Sequence, residues 1–545
     1  MFDFFTHRTP SVKQALFSVP TPDPFENPLV ETNPSALRQW ATALPFANAE
    51  QLSESVLTSL GRLNRFPGQV KKRDELMDIY HSPAQRLSHN SAVRGKGAPP
   101  LHLLRRVMLE MAYGYSHIAN ECISSKANRK NLDRLAHALY FATRFYLLEY
   151  LYACEAFDCR ASHSYRELSR LRTYAEEQNV HRQVIEDADN SAPETATVEH
   201  QFNRFLLLRL LDPCHLQEGE PRICFDYLND LASHAATVTP TADAERSGNY
   251  VIDRLGEVQP YPFEPEGLDQ LSLPRFALFD LNPVSQQIHK LLRRLERSEE
   301  QKPMPMSGLS QQEITNLLAR MLKSWHIRLQ RDSERHTTTG QVQVWAGLHS
   351  ISSYLTRRQD DAFTDSDEIT MSENPLQTAR LDPGKPQLVA RRFNQSRSGV
   401  ALHLPPNAAG RPLIGELVLI SLHGASDVND WKIGVVKRAL TRDNAVLEIG
   451  VQFLLGRIVP ITLQSIDPRA DRQQDDDRET EAPISHPALY IDQGHAHRSS
   501  LIVPKRLFII GREYRVEEML PAPCITPLQL LESTAMFERY RVKGC

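Results

Sequence analysis

The chain has no Cys-x-x-Cys pair. Its seven cysteines stand at 122, 154, 159, 214, 224, 524 and 545. An odd number without ligand spacing excludes a zinc ribbon and argues against a disulfide framework. Cys154, Cys159 and His163 form no four-ligand set, so no metal site is expected. The thiols read as free, mostly buried groups of a reducing cytoplasm. Net charge is nearly absent too, at −4, which excludes the broad basic field that attracts nucleic acid. Long apolar runs are missing. The most apolar stretch, residues 138–157, is interrupted by Arg144, Glu149 and Glu155, so no membrane span is expected. The start, Met1-Phe-Asp-Phe-Phe-Thr-His-Arg, carries an early acid and reads as no signal peptide. There is no Gly-x-x-x-x-Gly-Lys-Ser/Thr, no His-Glu-x-x-His and no Gly-x-Ser-x-Gly. No catalytic residue or cofactor can be named, and the chain is not expected to be an enzyme.

What remains is ordinary soluble composition over 545 residues, with 41% hydrophobic and 24% charged. That length holds two to four domains. Residues 1–35, rich in Pro, Thr and Asn, read as an extended arm. Residues 36–240 carry helical periodicity and form an all-helical domain. Leu52, Val56, Leu60 and Leu63 follow an Asn48 N-cap. Leu101, Leu104, Val107, Met108, Met111 and Tyr115 mark the face of a longer helix. Tyr113, Tyr115, His117 and Asn120 cluster there and read as packing and surface. Residues 241–308 form a connector with a helix opened by Asn282-Pro283.

Residues 309–466 change period. A capping box, Ser310-Gln-Gln-Glu313, starts a helix that ends near Trp325. Strand patterns follow at 341–346, 399–404, 416–422, 432–440, 445–455 and 458–464, as in a small antiparallel barrel. Residues 357–386, with Asp360, Asp361, Asp365, Asp367 and Glu368, read as a solvated acidic loop inserted among them. A polar linker covers 467–486. Residues 487–545 hold further strands and read as a β-rich extension, a half-barrel added to the first. The expected fold is multidomain α+β: an all-helical domain, a six-stranded antiparallel β-barrel and that extension.

Two polar motifs bracket the start of the barrel. Arg331-Asp-Ser-Glu-Arg335 places two guanidinium forks where helix gives way to strand. Such forks pair with phosphate or with the O6/N7 edge of guanine, and stack on ring faces. Asn394-Gln-Ser396-Arg-Ser-Gly399 offers an amide, a hydroxyl and a residue that permits tight turns or close approach. Each motif alone is common. Their order, followed by Gly415-Glu-Leu-Val-Leu, Trp431-Lys-Ile-Gly-Val-Val and Gly450-Val-Gln-Phe453, resembles the PilZ domain, a bacterial cyclic di-GMP receptor module. The resemblance covers residues 325–466. It implies a six-stranded barrel in which Arg331 and Arg335 hold phosphate and guanine, Asn394 and Ser396 meet a guanine edge, and Gly399 shapes the turn.

This chain puts 58 residues between Arg335 and Asn394, and carries Asn rather than Asp at the motif's first position. The expected function is therefore a non-enzymatic, cytoplasmic cyclic di-GMP effector. Its barrel would signal to the helical domain or to a protein partner by ordering the Arg331–Arg335 lead-in. The alternative is a degenerate PilZ-like scaffold that binds partners and no nucleotide.

Overall fold

In the computed structural model, the residues described are 16–23, 30–92, 98–125, 128–159, 164–188, 190, 192–241, 243–271, 274–297, 306, 308–326, 336–363, 388–405, 410–421, 431–442, 446–465, 485–494, 499–516 and 524–544. The chain divides into two units. One joins Met1–Pro213 to Pro221–Ile327, and the other joins Cys214–Glu220 to Arg328–Cys545.

The first unit opens with α1 (Pro34–Thr42), α2 (Ala49–Arg65), α3 (Arg73–Ala92), α4 (Leu101–Ser124) and α5 (Arg129–Glu155). It continues through α6 (Ser164–Glu177), α7 (Val198–Leu210) and α8 (Glu220–Leu231). Asn48 caps α2 by accepting from the amides of Glu50 and Gln51, which satisfies N–H groups the helix itself cannot pair. The core centres on α4 and α5, where Tyr115 stacks on Phe141 and Phe145 at 5.1 and 5.8 Å. Helix α3 has no counterpart in the sequence reading. Pro83 inside it breaks the pattern that marks helix interiors.

His117 and Asn120 hold structure together, as packing residues should. The Asn120 amide clamps both backbone groups of Phe17, and His117 Nε2 lies 3.0 Å from the Asn64 carbonyl. Burial, with Arg73 nearby, pushes the His117 imidazole down to about 4.

Strands β1 (Ala236–Val238), β2 (Asn249–Asp253), β3 (Tyr261–Pro262) and β4 (Phe276–Asp280) make an antiparallel sheet of order β1-β4-β2-β3. Helices α9 (Asn282–Glu296) and α10 (Gln311–His326) complete the unit. The box expected at 310–313 forms: Ser310 N donates to Glu313 Oε2 at 2.8 Å, and Glu313 N to Ser310 Oγ at 3.4 Å.

The second unit holds two closed six-stranded antiparallel barrels. The first uses β5 (His336–Ala346), β6 (Leu388–Ser396), β7 (Gly399–Leu404), β8 (Leu417–Ser421), β9 (Trp431–Thr441) and β10 (Leu447–Phe453), with α11 (Leu348–Phe363) after β5. The second uses β11 (Arg457–Ser465), β12 (Ser485–Asp492), β13 (Ser500–Pro504), β14 (Tyr514–Val516), β15 (Cys524–Ser533) and β16 (Phe537–Gly544). The rings run β5-β6-β7-β10-β9-β8 and β11-β12-β13-β16-β15-β14. Numbered within each barrel, both orders are 1-2-3-6-5-4, so the same topology occurs twice. Ile461, Leu463, Ala488, Leu501, Val503, Tyr514 and Tyr540 fill the second barrel. A separate apolar layer joins the barrels. Trp345, Leu417, Leu419, Trp431 and Ile433 of the first meet Leu489, Ile491, Ile502 and Phe537 of the second, with Ile351 and Tyr354 of α11 among them.

Several sequence expectations change here. The C-terminal region is a complete barrel, not a half-barrel. Strand β11, assigned by sequence to the first barrel, pairs with β12 and β14 of the second. Its place in the first is taken by β6, which the sequence reading did not list as a strand. The supposed acidic loop starts as helix, because α11 extends to Phe363. The rest of that insertion, 364–386, lies outside the described residues. Cysteines 122, 154, 159, 214 and 224 are free and buried, but Cys524 is disulfide-bonded, which corrects the expectation of free thiols at that position.

Candidate functional site

The Asn-x-Ser-x-x-Gly motif forms a hairpin. Asn394 and Ser396 end β6, Gly399 begins β7, and Ser396 pairs with Gly399 across the two-residue turn Arg397-Ser398. Ser396 Oγ lies 3.4 Å from both the Gly399 carbonyl and Ser398 Oγ, so the hydroxyl sits on the hairpin rim. Gly399 is needed for close approach. A Cβ there would stand 2.4 Å from the Val451 carbonyl oxygen of β10, inside any permitted contact. Phe453 N donates to the Ser398 carbonyl at 2.9 Å and continues the seam.

Register carries the site across the sheet. Asn394 pairs with Ala401 on β7, Ala401 with Gly450 on β10, and Gly450 with Arg438 on β9. Directly opposed residues of antiparallel strands share a face, and the interleaved Val400, Leu402, Ile449 and Val451 are buried, as is Ala401 within the row itself. The row Asn394–Ala401–Gly450–Arg438 therefore lies on the outside of the barrel. Three strand spacings separate its ends, about 14 Å. Its middle is floored by the two smallest side chains in the alphabet, and its ends carry hydrogen-bonding groups. Among the described residues the Asn394 side chain has no hydrogen-bond partner.

Arg438 is half-buried at the far end. Its Nη1 lies 3.5 Å from Glu448 Oε1, while Nε and Nη2 are buried without partners. Buried guanidinium N–H groups without acceptors are costly. Glu448 takes its shorter bond, 2.7 Å, from Arg442 Nε. A bulge between Arg392 and Asn394 turns Phe393 onto His403, rings stacked at 4.2 Å. Burial holds the His403 imidazole below its ordinary value. Arg391 and Arg442 add to that depression, and Glu448 opposes it. The face thus offers an amide, a hydroxyl, a half-buried flat ring stack and several guanidinium groups. That set suits a ligand with phosphates and planar polar rings.

Of the sequence-named residues, the fold brings Asn394, Ser396 and Gly399 to this one outer face. Arg331 and Arg335 lie outside the described residues. Arg438 and His403 were not named from sequence. No local motif contains them, and only the β7–β10–β9 register places them beside Asn394.

The helical unit contains a second polar cleft of about 400 Å³, lined by Tyr140, Arg144, Asp187, Arg204, Arg222, Phe225 and Asp226 among others. Its charges largely answer one another. Arg144 Nη1 and Tyr140 Oη bond Asp187 at 2.9 and 2.7 Å, and Arg204 lies 3.5 Å above the Phe225 ring. No group of residues able to hold a metal ion occurs among the described residues, and no described helix is long and apolar enough to cross a membrane.

Residues 35–241 match the family model described as the N-terminal domain of the cyclic-di-GMP receptor FimW. The match covers the helical region, well under half of the chain, and stops short of the barrels. No curated protein matches the chain.

Proposed function

We propose that this chain is a non-enzymatic bacterial cyclic di-GMP receptor. In this reading the outer face of β6, β7, β10 and β9 takes the dinucleotide, and binding is signalled to the helical unit or to a protein partner. The observation that carries the reading is convergence on one ligand from separate regions. The helical region is similar to a domain of a cyclic di-GMP receptor, while the PilZ-like motif lies in the barrel, where its described half shares one face with the Arg438 guanidinium, paired through Nη1 alone.

Asn394 and Ser396 would meet a guanine edge. Arg438, at the far end of the row, would supply positive charge to a phosphate. Ala401 and Gly450 put no large side chain between the ligand's rings and the sheet. Arg331 and Arg335, which precede β5 in the sequence, would hold phosphate and guanine groups, as the resemblance implies. The cytoplasm is the compartment where such a second-messenger receptor works.

Isothermal titration of the full chain with cyclic di-GMP tests the proposal. Binding in the micromolar range or tighter is expected. Arg335→Ala and Arg438→Ala should each weaken it about tenfold or more, the scale of a charge-assisted hydrogen bond. No heat from the folded wild-type chain would overturn the reading and favour a nucleotide-free scaffold.

A further inference from the structure

The second barrel carries an apolar tip of unusual construction. Residues Ile509-Ile510-Gly511-Arg512 form a turn, closed by Arg512 N donating to the Ile509 carbonyl at 3.2 Å. Gly511 sits at the third position with φ +83°, the value a type II turn requires there. Corners of such turns usually carry polar residues. Here Ile509 and Ile510 occupy the first two positions, each 59% exposed.

The turn is firmly held from below. Ile509 N donates to Tyr514 Oη at 2.9 Å, Tyr514 Oη donates to the Leu507 carbonyl at 3.3 Å, and Gly511 N donates to the Pro527 carbonyl of β15 at 3.1 Å. Phe508 anchors the root by packing its ring, tilted, against Tyr514 inside the barrel, 4.2 Å between ring centres. The two isoleucines are therefore presented on a fixed support.

Strand β15 extends the patch beside Pro527. Its register with β16 shifts between Pro527 and Gln529 and again between Leu530 and Glu532. Each shift leaves one extra residue, Leu528 and Leu531, and bulged residues point where the regular alternation would not send them. Leu528 is 49% and Leu531 40% exposed. Bulges are built features rather than accidents of packing.

Cations surround this apolar surface. On β16, Lys543 pairs with Thr526 and Arg541 with Gln529, so they flank Leu528, and both are exposed. Arg515 is exposed on β14, and Arg512 closes the turn. Glu513 lies exposed between them, and Glu532, next to Leu531, pairs with Lys437. A protruding apolar tip ringed by basic side chains has the two attractions that peripheral attachment to a bilayer needs: apolar insertion at the headgroup boundary, and attraction to anionic lipid.

We propose that this tip of the second barrel docks the protein on an anionic membrane surface, Ile509, Ile510, Leu528 and Leu531 entering the interface while Arg512, Arg515, Arg541 and Lys543 meet lipid headgroups. The site is distinct from the nucleotide face and does not depend on it.

Co-sedimentation of the full chain with vesicles tests this, using phosphatidylcholine alone and phosphatidylcholine mixed with phosphatidylglycerol. Binding is expected on the mixed vesicles, reversed by high salt. Ile510→Asp should weaken it about tenfold with unchanged thermal unfolding, because the side chain is already in water. Arg512→Gln with Lys543→Gln should weaken it about tenfold as well. Absence of binding to the mixed vesicles would overturn the proposal, and so would binding that ignores Ile510→Asp. A dimer seen by light scattering and abolished by Ile510→Asp, in a protein that ignores vesicles, would make the patch a contact between copies instead.

Discussion

On β7 of the first barrel the outward positions are Gly399, Ala401 and His403. On β13, the corresponding strand of the second barrel, they begin with Ser500 and Ile502. The partner strands differ in the same way. Strand β10 turns Glu448, Gly450 and Gln452 outward, whereas β16 turns Phe537, Arg539 and Arg541 outward. Strand order around the two rings is identical, so connectivity does not explain the contrast. The outward side chains do. Small and polar residues line the first barrel's face, with Ala401 and Glu448 themselves buried. Ile502 and Phe537 make part of the second barrel's face an adhesive surface, packed on α11 and on the aromatic back of the first barrel. A fold supplies a platform, and the residues grafted on it decide its use.

The sharpest way to break this comparison is to place a charge on each face. Ile502 is fully buried in the joint. Ile502→Asp would leave an uncompensated carboxylate there, at a cost of about 3–5 kcal/mol. Urea unfolding should show that loss. Gln452→Asp, on the exposed ligand face, should change stability by no more than about 0.5 kcal/mol. Equal effects would mean the second barrel's face is not buried as described.

A somewhat smaller effect is expected at the first outward position of each strand. Gly399→Ala drives a methyl group against the Val451 carbonyl oxygen, so β7 and β10 must part. Overpacking of this kind costs about 1–3 kcal/mol, and it should also weaken dinucleotide binding by displacing Ser396. The second barrel has Ser500 at that position, and its hydroxyl accepts from Arg539 Nε at 2.9 Å. Ser500→Ala removes one hydrogen bond and should cost about 1 kcal/mol without touching nucleotide affinity. Chemical denaturation and titration of the two variants separate the cases. An unchanged Gly399→Ala protein would refute the close approach.

The two barrels were unequally legible in the sequence. The Asn394–Gly399 hairpin is local, so its turn chemistry could be read directly. Strand β6 escaped because its alternation is interrupted by the Phe393 bulge and by the polar run Arg391-Arg392. The first half of β5, His336-Thr-Thr-Thr-Gly-Gln, is mostly exposed and shows no apolar period. Strand β11 follows β10 after only three residues, and nothing in its pattern reveals that it changes barrels. Helix α11 was obscured by the acidic run that begins near its end. Arg438 lies 39 residues after Gly399. Its place on the same face as Asn394 depends on three strand pairings that no spacing in the sequence encodes. In general the readings that held were local, and those that failed required long-range register.

The smallest expected effect concerns proton linkage at the open face. His403 is half-buried, stacked on Phe393 and shares its face with Ala401. Burial lowers its affinity for a proton, so the free protein carries a neutral imidazole near neutral pH. The groups around it are Glu448, which favours the charged form, and Arg391 and Arg442, which oppose it. A bound phosphate diester adds negative charge and would raise that proton affinity. Binding is then coupled to proton uptake, and affinity must rise as pH falls through the lowered value of the free protein. The gain should be modest, about twofold to fivefold between about pH 7.5 and about pH 5.5, because the ring is partly solvated. Titration in buffers of different ionisation enthalpy would register the uptake directly. His403→Gln should flatten the pH dependence while leaving binding at the higher pH nearly intact. Ser500 and Ile502 give β13 no titrating counterpart on this face, so a pH dependence that survives His403→Gln would have to arise elsewhere.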